Sequence, residues 1–137
     1  MKRSDKVSSS RRTQRKNLYT APSSQRRKIM SCRLSKELRN KHKCRNLPIR
    51  KNDVVKILKG KAKGKTGKVT SVYRRRWCVH IEKITRDKQN GQPVQIPIKP
   101  NNCVIDTLHL DKDRKGLIER VSAQARKEKN KGVNKTE

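Results

Sequence analysis

Leu58 to Val69 reads LKGKAKGKTGKV, where Lys59, Lys61, Lys63, Lys65 and Lys68 are interspersed with Gly60, Gly64 and Gly67 and no acidic residue intervenes. Ammonium groups at that density are suited to holding anions. Glycine lacks a Cβ and tolerates positive φ, so Gly64 and Gly67 let the backbone turn tightly and approach a surface closely. Amides exposed at such a turn can donate to phosphate oxygens, as in anion-binding nests. A nucleoside triphosphate is a poor fit, because the spacing is not that of a Walker loop and no helix pattern follows. A folded nucleic-acid backbone suits the loop better.

A second cationic group stands at YRRRW, residues 73–77. Arg74, Arg75 and Arg76 would project from a turn, where planar guanidinium groups pair with phosphates bidentately or stack on bases. Tyr73 and Trp77 flank them and are expected to pack at the edge of a core. Further candidates for the same polyanion are Arg11, Arg12, Arg15, Lys16, Arg26, Arg27 and Lys28 in the amino-terminal stretch, and Arg50 and Lys51 just before the first run of valines. With one Trp, two Tyr and no Phe, base stacking cannot dominate, which leaves phosphate and shape recognition.

Other chemistry fares worse. Structural zinc sites draw paired ligands from one turn, but Cys32, Cys44, Cys78 and Cys103 include no C-x₂₋₄-C pair. Cys78 and Cys103 read as small strand residues, and Cys32 and Cys44 as lying on segments that face RNA. His42, His80 and His109 are far apart in sequence, and Asp53, Asp87, Asp111 and Asp113 sit at turns or helix starts rather than as an acid–base pair. No catalytic residue, metal, cofactor or small-molecule substrate is expected.

The composition supports the anion reading. Forty Lys and Arg against 11 Asp and Glu give a formal net charge of +29, while hydrophobic residues make up only 29% of the 137. Such self-repulsion opposes a compact state unless a polyanion offsets it, and so lean an apolar content predicts segments ordered only by a partner. Nucleic acid gains from counterion release at every neutralised phosphate. A membrane surface is disfavoured, since no stretch approaches ~18 apolar residues and no basic amphipathic stripe carries aromatics opposite. The basic amino terminus, MKRSDKVSSSRRTQRK, has no apolar core of a secretory signal, which with unpaired cysteines predicts reduced thiols in a cytosolic compartment.

The elements that must position these groups fall into three zones: a basic extension over 1–46, a β-rich domain over 47–110, and a helix with a charged tail over 111–137. In the first zone, Pro22 suits a first helical position before SSQRRKIM, and Ser35 can cap KELRNKHK, with Glu37 favouring the positive helix end. Leu34 and Leu38 are too few for an independent core, so these helices are expected to lie on RNA or on the central domain. That domain reads as five strands over 53–58, 67–73, 77–84, 94–98 and 103–108, with Val54, Ile57, Val69 and Val72 inward. Trp77, Val79 and Ile81 alternate with Cys78, His80 and Glu82. Asn90-Gly91 predicts a two-residue hairpin turn with positive φ at both positions, and Pro93 and Pro97 assign the next strand to an edge. Short strands with tight turns in so few residues predict a small half-open barrel. Beyond it, Asp111 or Asp113 caps a helix with Leu117, Ile118, Val121 and Ala125 as a narrow apolar stripe, and the tail KEKNKGVNKTE has nothing to bury.

The stretch IRKNDVVKILKGKAKGKTGKVTSV, from Ile49 to Val72, resembles the KOW motif. The chain as a whole is similar to the universal KOW-domain ribosomal protein family of the large subunit, in its eukaryotic and archaeal branch. The similarity is carried by APSSQRRKIMSCRLSKELRNKHKCRNLPIRKND at 21–53, EKITRDKQNG at 82–91 and LDKDRKGLIER at 110–120. This resemblance implies an SH3-like barrel, a structural and non-enzymatic role, and binding to the 5′ region of large-subunit rRNA near the nascent-chain tunnel exit. It further implies early assembly, neighbouring ribosomal proteins as partners, a monomer within the ribosome, and a cytoplasmic location after a nucleolar stage. Two other readings fit the charge: a transcription elongation factor with a KOW module, and a basic nucleic-acid-packaging protein. The short, uniformly basic chain disfavours the first, and the expected five-strand core disfavours the second.

Overall fold

The computed structural model describes residues 7–133, with side chains of the final helix described as far as Ala123. The stripe residue Ala125 and the whole of the charged tail KEKNKGVNKTE lie outside the described side chains.

Aliphatic runs at the centre of the chain fold as a mainly β structure. Its elements are β3 (Val54–Ile57), β4 (Thr66–Tyr73), β5 (Cys78–Ile81) and β8 (Cys103–Thr107). Two short strands from the preceding segment, β1 (Ser31–Leu34) and β2 (Asn46–Pro48), complete a six-stranded sheet in the order β2-β1-β8-β3-β4-β5. All of its pairings are antiparallel except β1 with β8, which is parallel. Ile98 then pairs with Val79 through two backbone hydrogen bonds, of 2.8 and 3.0 Å. The outer strand is thereby tied to the segment that leads through a short 3-10 turn (Pro100–Asn102) into β8, which curls the sheet into the expected half-open barrel.

The barrel encloses Leu34, Leu47, Val55, Ile57, Val69, Val79, Ile81, Cys103 and Ile105, with Met30, Cys32, Cys44 and Ile49 around them. The aliphatics Met30, Leu34 and Leu47 therefore supply part of the core. An SCRL strand was not legible because only two apolar residues mark it, too few to show alternation against the basic residues around it. On β3 the inward residue is Val55 rather than Val54, because side chains alternate along a strand and Ile57, two residues on, is inward. Val72 is half-buried and packs at the core's edge.

The run expected over 77–84 is broken at both ends by left-handed residues, Trp77 at φ 57° and Lys83 at φ 61°. Trp77 belongs to the turn, and Cys78 is buried beside Val79 rather than on an outer face. A separate hairpin follows, β6 (Thr85–Asp87) with β7 (Pro93–Gln95). The strand expected over 94–98 is thus divided: its first part joins the hairpin and Ile98 joins β5. Pro97 lies between them, and having no N–H it cannot continue a ladder. The hairpin turn also differs from the two-residue form. Only Gly91 has positive φ (77°), and the Gly91 amide donates to the Lys88 carbonyl at 2.9 Å. This is a turn followed by one left-handed glycine, the next most common hairpin closure.

Among the described residues the helices are α1 (Arg11–Thr20), α2 (Ser23–Ile29), α3 (Lys36–His42) and α4 (Lys112–Val133). Pro22 sits one residue before α2, as its N-cap. Ser35 caps α3 as expected, its hydroxyl accepting from the Leu38 amide at 3.4 Å, and Leu38 packs against the core. On α4, Asp111 accepts from the Arg114 amide at 2.7 Å, Ile118 is buried, and Val121 packs at the core's edge. α1 has no buried residue.

Candidate nucleic-acid interface

The glycine-lysine loop runs from Leu58 to Lys65 and joins β3 to β4, strand to strand. Gly64-Lys65-Thr66 therefore leads into a strand, without the helix N-terminus that a triphosphate site needs. Gly60 (φ 102°) and Gly64 (φ 87°) take the left-handed backbone that makes the loop possible. Gly67 does something else. It lies in β4, where an added Cβ would come within 2.7 Å of the Ile81 side chain and 2.8 Å of the Glu82 carbonyl. It permits close approach between strands, and the tight turn expected at Gly67 is made by Gly60 and Gly64 instead.

The loop is internally braced. The Lys63 amide donates to the Gly60 carbonyl, Gly64 to Ile57, and Lys65 to Ala62, at 2.8–3.2 Å. Those three amides are therefore not open to a phosphate, and the nest reading does not extend to them. What the loop offers is its side chains: Lys59, Lys61, Lys63 and Lys65 are exposed, as is Lys68 on β4.

The arginine turn sits at the other end of β4. Eight residues at ~3.3 Å each put the two cationic groups roughly 25 Å apart, so they are separate patches of charge. Arg74, Arg75 and Arg76 are exposed. Arg74 donates to the Ser23 hydroxyl at 3.0 Å, which joins the turn to α2. Tyr73 is 44% exposed and tilts against His80, with ring centroids 4.7 Å apart. Arg11, Arg12, Arg15 and Lys16 lie along α1, fully on the surface, and Arg15 covers the Tyr19 ring. Lys28 is exposed and Arg27 half-buried on α2. Arg26, in contrast, is directed inward to carbonyls and to Trp77.

Arg50 and Lys51 occupy the turn before β3, and there the sequence hid a network. Asp53 is fully buried and accepts two bonds from Arg114, itself 2% exposed, at 2.5 and 2.8 Å. Asp53 also accepts from the Arg50 and His109 amides, each at 3.0 Å. The Arg114 guanidinium further donates to the carbonyls of His109 and Pro48. Both oxygens of Asp53 and both terminal nitrogens of the Arg114 guanidinium are thereby partnered, as a buried charge requires. The network fastens α4 to the barrel. Above it, Arg50 pairs with Asp111 in a partly exposed bridge of 2.5 Å. Asp111 has its carboxyl held below the usual range by the Arg114 amide first and by Arg50 in addition. A polar residue opening a valine run, NDVV, was the one available sign that Asp53 is buried.

The cysteines are all buried and free. Burial pushes the Cys32 thiol up to about 12 and Cys103 to about 11, and raises Cys44 and Cys78 as well. Cys32 and Cys44 belong to the core rather than to segments facing RNA, because β1 pairs with β8 and the turn after α3 is held to β1 by the Leu34 amide donating to the Arg45 carbonyl. Among the described residues, no three His, Cys, Asp or Glu side chains converge as metal ligands, and no helix is long and apolar enough to cross a membrane.

A curled mixed sheet, an exposed lysine loop and arginine turn at the two ends of one strand, and helical extensions on either side define a KOW-type barrel protein with cationic extensions. The chain belongs to the family of eukaryotic L26 ribosomal proteins and their archaeal L24-type counterparts, which matches residues 8–121. It is similar to the large ribosomal subunit protein uL24 of Schizosaccharomyces pombe, with 52% identity over 120 residues covering 88% of this chain and 95% of the relative. It is also similar to uL24A of Saccharomyces cerevisiae, at 51% over 87% and 94% of the two chains, and to uL24 of Dictyostelium discoideum, at 47% over 96% and 94%. The branch implied by the three sequence segments is the one that matches.

Proposed function

We propose that this protein is a structural constituent of the large ribosomal subunit, binding large-subunit rRNA near its 5′ region, close to the nascent-chain tunnel exit, and supporting subunit assembly and translation. The observation that carries this reading is the match, along most of the chain, to relatives named as large ribosomal subunit proteins. The geometry adds support, because the lysine loop and the arginine turn carry many charges with few internal partners. In this reading the barrel, built from 47–110 together with the strand Ser31–Leu34, fixes position, while the helical segment before it and the extension over 111–137 replace counterions where RNA segments pack closely. Lys59, Lys61, Lys63, Lys65 and Lys68 hold one stretch of phosphate backbone, and Arg74, Arg75 and Arg76, with Arg11, Arg12, Arg15 and Lys16, hold another. The protein works as a monomer among neighbouring ribosomal proteins, in cytoplasmic ribosomes after nucleolar assembly, and performs no catalysis.

Sedimentation of a cell lysate through sucrose tests the assignment. Co-migration with large subunits through moderate salt is the expected result. Recovery with polymerase would instead indicate an elongation factor, and recovery with chromatin a packaging protein; either overturns the proposal.

A further inference from the structure

Arg26 differs from every other candidate contact. Its guanidinium donates to the Ala21 carbonyl at 2.8 Å, to the Tyr19 carbonyl at 2.7 Å and to the Arg75 carbonyl at 3.4 Å, and its Cζ lies over the Trp77 ring, 5.3 Å from the centroid. Tyr19 lies in the last turn of α1, where carbonyls have no helical partner and the helix dipole is negative. Ala21 is the C-cap of that helix. Arg75 and Trp77 belong to the arginine turn, and Trp77 is held in a left-handed conformation that bulky residues avoid unless their surroundings impose it. One side chain on α2 thus fastens the end of the amino-terminal helix to the turn between β4 and β5. The Arg74 bond to Ser23 is a second stitch along the same seam.

The chemistry of the seam matters. Its acceptors are carbonyls and a hydroxyl, and among the described residues no carboxylate forms an ion pair with any arginine of α1, α2 or the turn. The junction is therefore fastened without neutralising the face it builds.

We infer that Arg26 is a positioning residue that joins α1 and the arginine turn into one preorganised cationic surface for a nucleic-acid phosphate backbone, without touching that backbone itself. This rests on the ribosomal reading above and deepens it. Arg11, Arg12, Arg15 and Lys16 supply one side of the surface, and Arg74, Arg75 and Arg76 the other. A helix fixed before binding loses less conformational freedom on docking, so the latch acts on affinity through ordering rather than through charge. Lysine cannot replace Arg26 there, because a single ammonium has neither the planar fork that reaches several carbonyls nor the flat face that stacks on an indole.

The experiment compares the full chain with Arg26→Ala, Arg26→Lys and Arg74→Ala, binding to a transcript of the 5′ region of large-subunit rRNA over a series of salt concentrations. Both Arg26 variants are expected to weaken binding about tenfold at every salt concentration, with the slope of log affinity against log salt unchanged. Arg74→Ala should instead flatten that slope by ~0.7 to 0.9. Trp77 is the chain's single tryptophan, so its emission reads the latch directly in the free protein. It should shift to the red and become more open to acrylamide quenching in both Arg26 variants. Wild-type binding by Arg26→Lys, or a flattened slope in Arg26→Ala, would make Arg26 a phosphate contact and overturn the inference. So would affinities unchanged in both variants. If the wild-type chain ignores the transcript, the ribosomal reading fails instead. The latch is then judged by Trp77 emission alone, and emission unchanged in both variants rejects it.

Discussion

Arg114 and the arginines of the 74–76 turn carry the same guanidinium group to opposite ends. Arg114 is 2% exposed, forms a two-pronged pair with Asp53 and donates further to the backbone carbonyls of His109 and Pro48. The turn arginines stand in solvent, and apart from the Arg74 bond to Ser23 their guanidinium groups have no protein partner among the described residues. In a chain of net charge +29 this difference separates two kinds of cation. Those that complete the fold are desolvated and must be fully partnered, while those left outside cost the fold little and are free to meet phosphate. Composition treats them alike; burial and hydrogen bonding do not.

The comparison is tested most severely at the buried pair. Arg114→Met removes one charge and leaves the buried Asp53 carboxylate with only the Arg50 and His109 amides and no counter-charge, and breaking such pairs costs about 3–5 kcal/mol. Denaturant unfolding should show a loss of that order, with the Asp53→Asn, Arg114→Met double variant losing less than the sum of the two single changes. A loss within ~0.5 kcal/mol, the usual result at an exposed site, would place Arg114 with the surface arginines and erase the distinction.

Two glycines sharpen it at lower cost. Gly67→Ala forces a methyl against the Ile81 side chain and the Glu82 carbonyl, and overpacking of this kind costs typically about 1–3 kcal/mol. Gly64→Ala has open space around its Cβ but keeps the left-handed backbone, a penalty of roughly 1–2 kcal/mol. Thermal unfolding should therefore rank Gly67→Ala as the more damaging. The reverse order would mean that Gly67 belongs functionally to the exposed loop.

Replacing Lys63 and Lys65 together by Ala addresses the outer class. Stability should change by less than ~0.5 kcal/mol, since both are exposed. The salt slope for rRNA binding should fall by ~0.7 to 0.9 for each phosphate that the variant no longer neutralises. A wild-type slope would show those lysines to be only solvated, and would leave the arginine turn as the single foothold.

How far the sequence revealed this division depends on what each residue has to do. Strands rich in β-branched residues were legible because their apolar character repeats, and the exposed cations were legible because charge in a turn needs no partner to be recognised. The short strands were not. Ser31–Leu34 and Asn46–Pro48 take their places from β8 and from one another, through pairings between residues as far as 71 positions apart, as in the bond from Cys32 to the Cys103 carbonyl. The inward roles of Arg26 and Arg114 were hidden for the same reason, because an arginine in a basic segment gives no local sign that its donors are taken. Asp53 came nearest to showing itself, as a carboxylate at the mouth of a valine run.

The bridge between Arg50 and Asp111 lies between the two classes and should give the smallest effect. Asp111 accepts from the Arg114 amide at the start of α4 and meets Arg50 across the turn, so its carboxyl ionises below the ordinary value of 3.8. A carboxyl with a lowered folded-state value stabilises the protein above its unfolded value, and loses that contribution as pH falls through the folded one. Unfolding midpoints of the wild type and Asp111→Ala should therefore differ by a small, constant amount at neutral pH and converge on acidification below about 4. If the gap stays constant to lower pH, the charge of Asp111 contributes nothing and its N-cap hydrogen bond accounts for the whole difference. Arg50 would then pass wholly to the outward class, and Arg50→Ala should lower the rRNA salt slope as a turn arginine does.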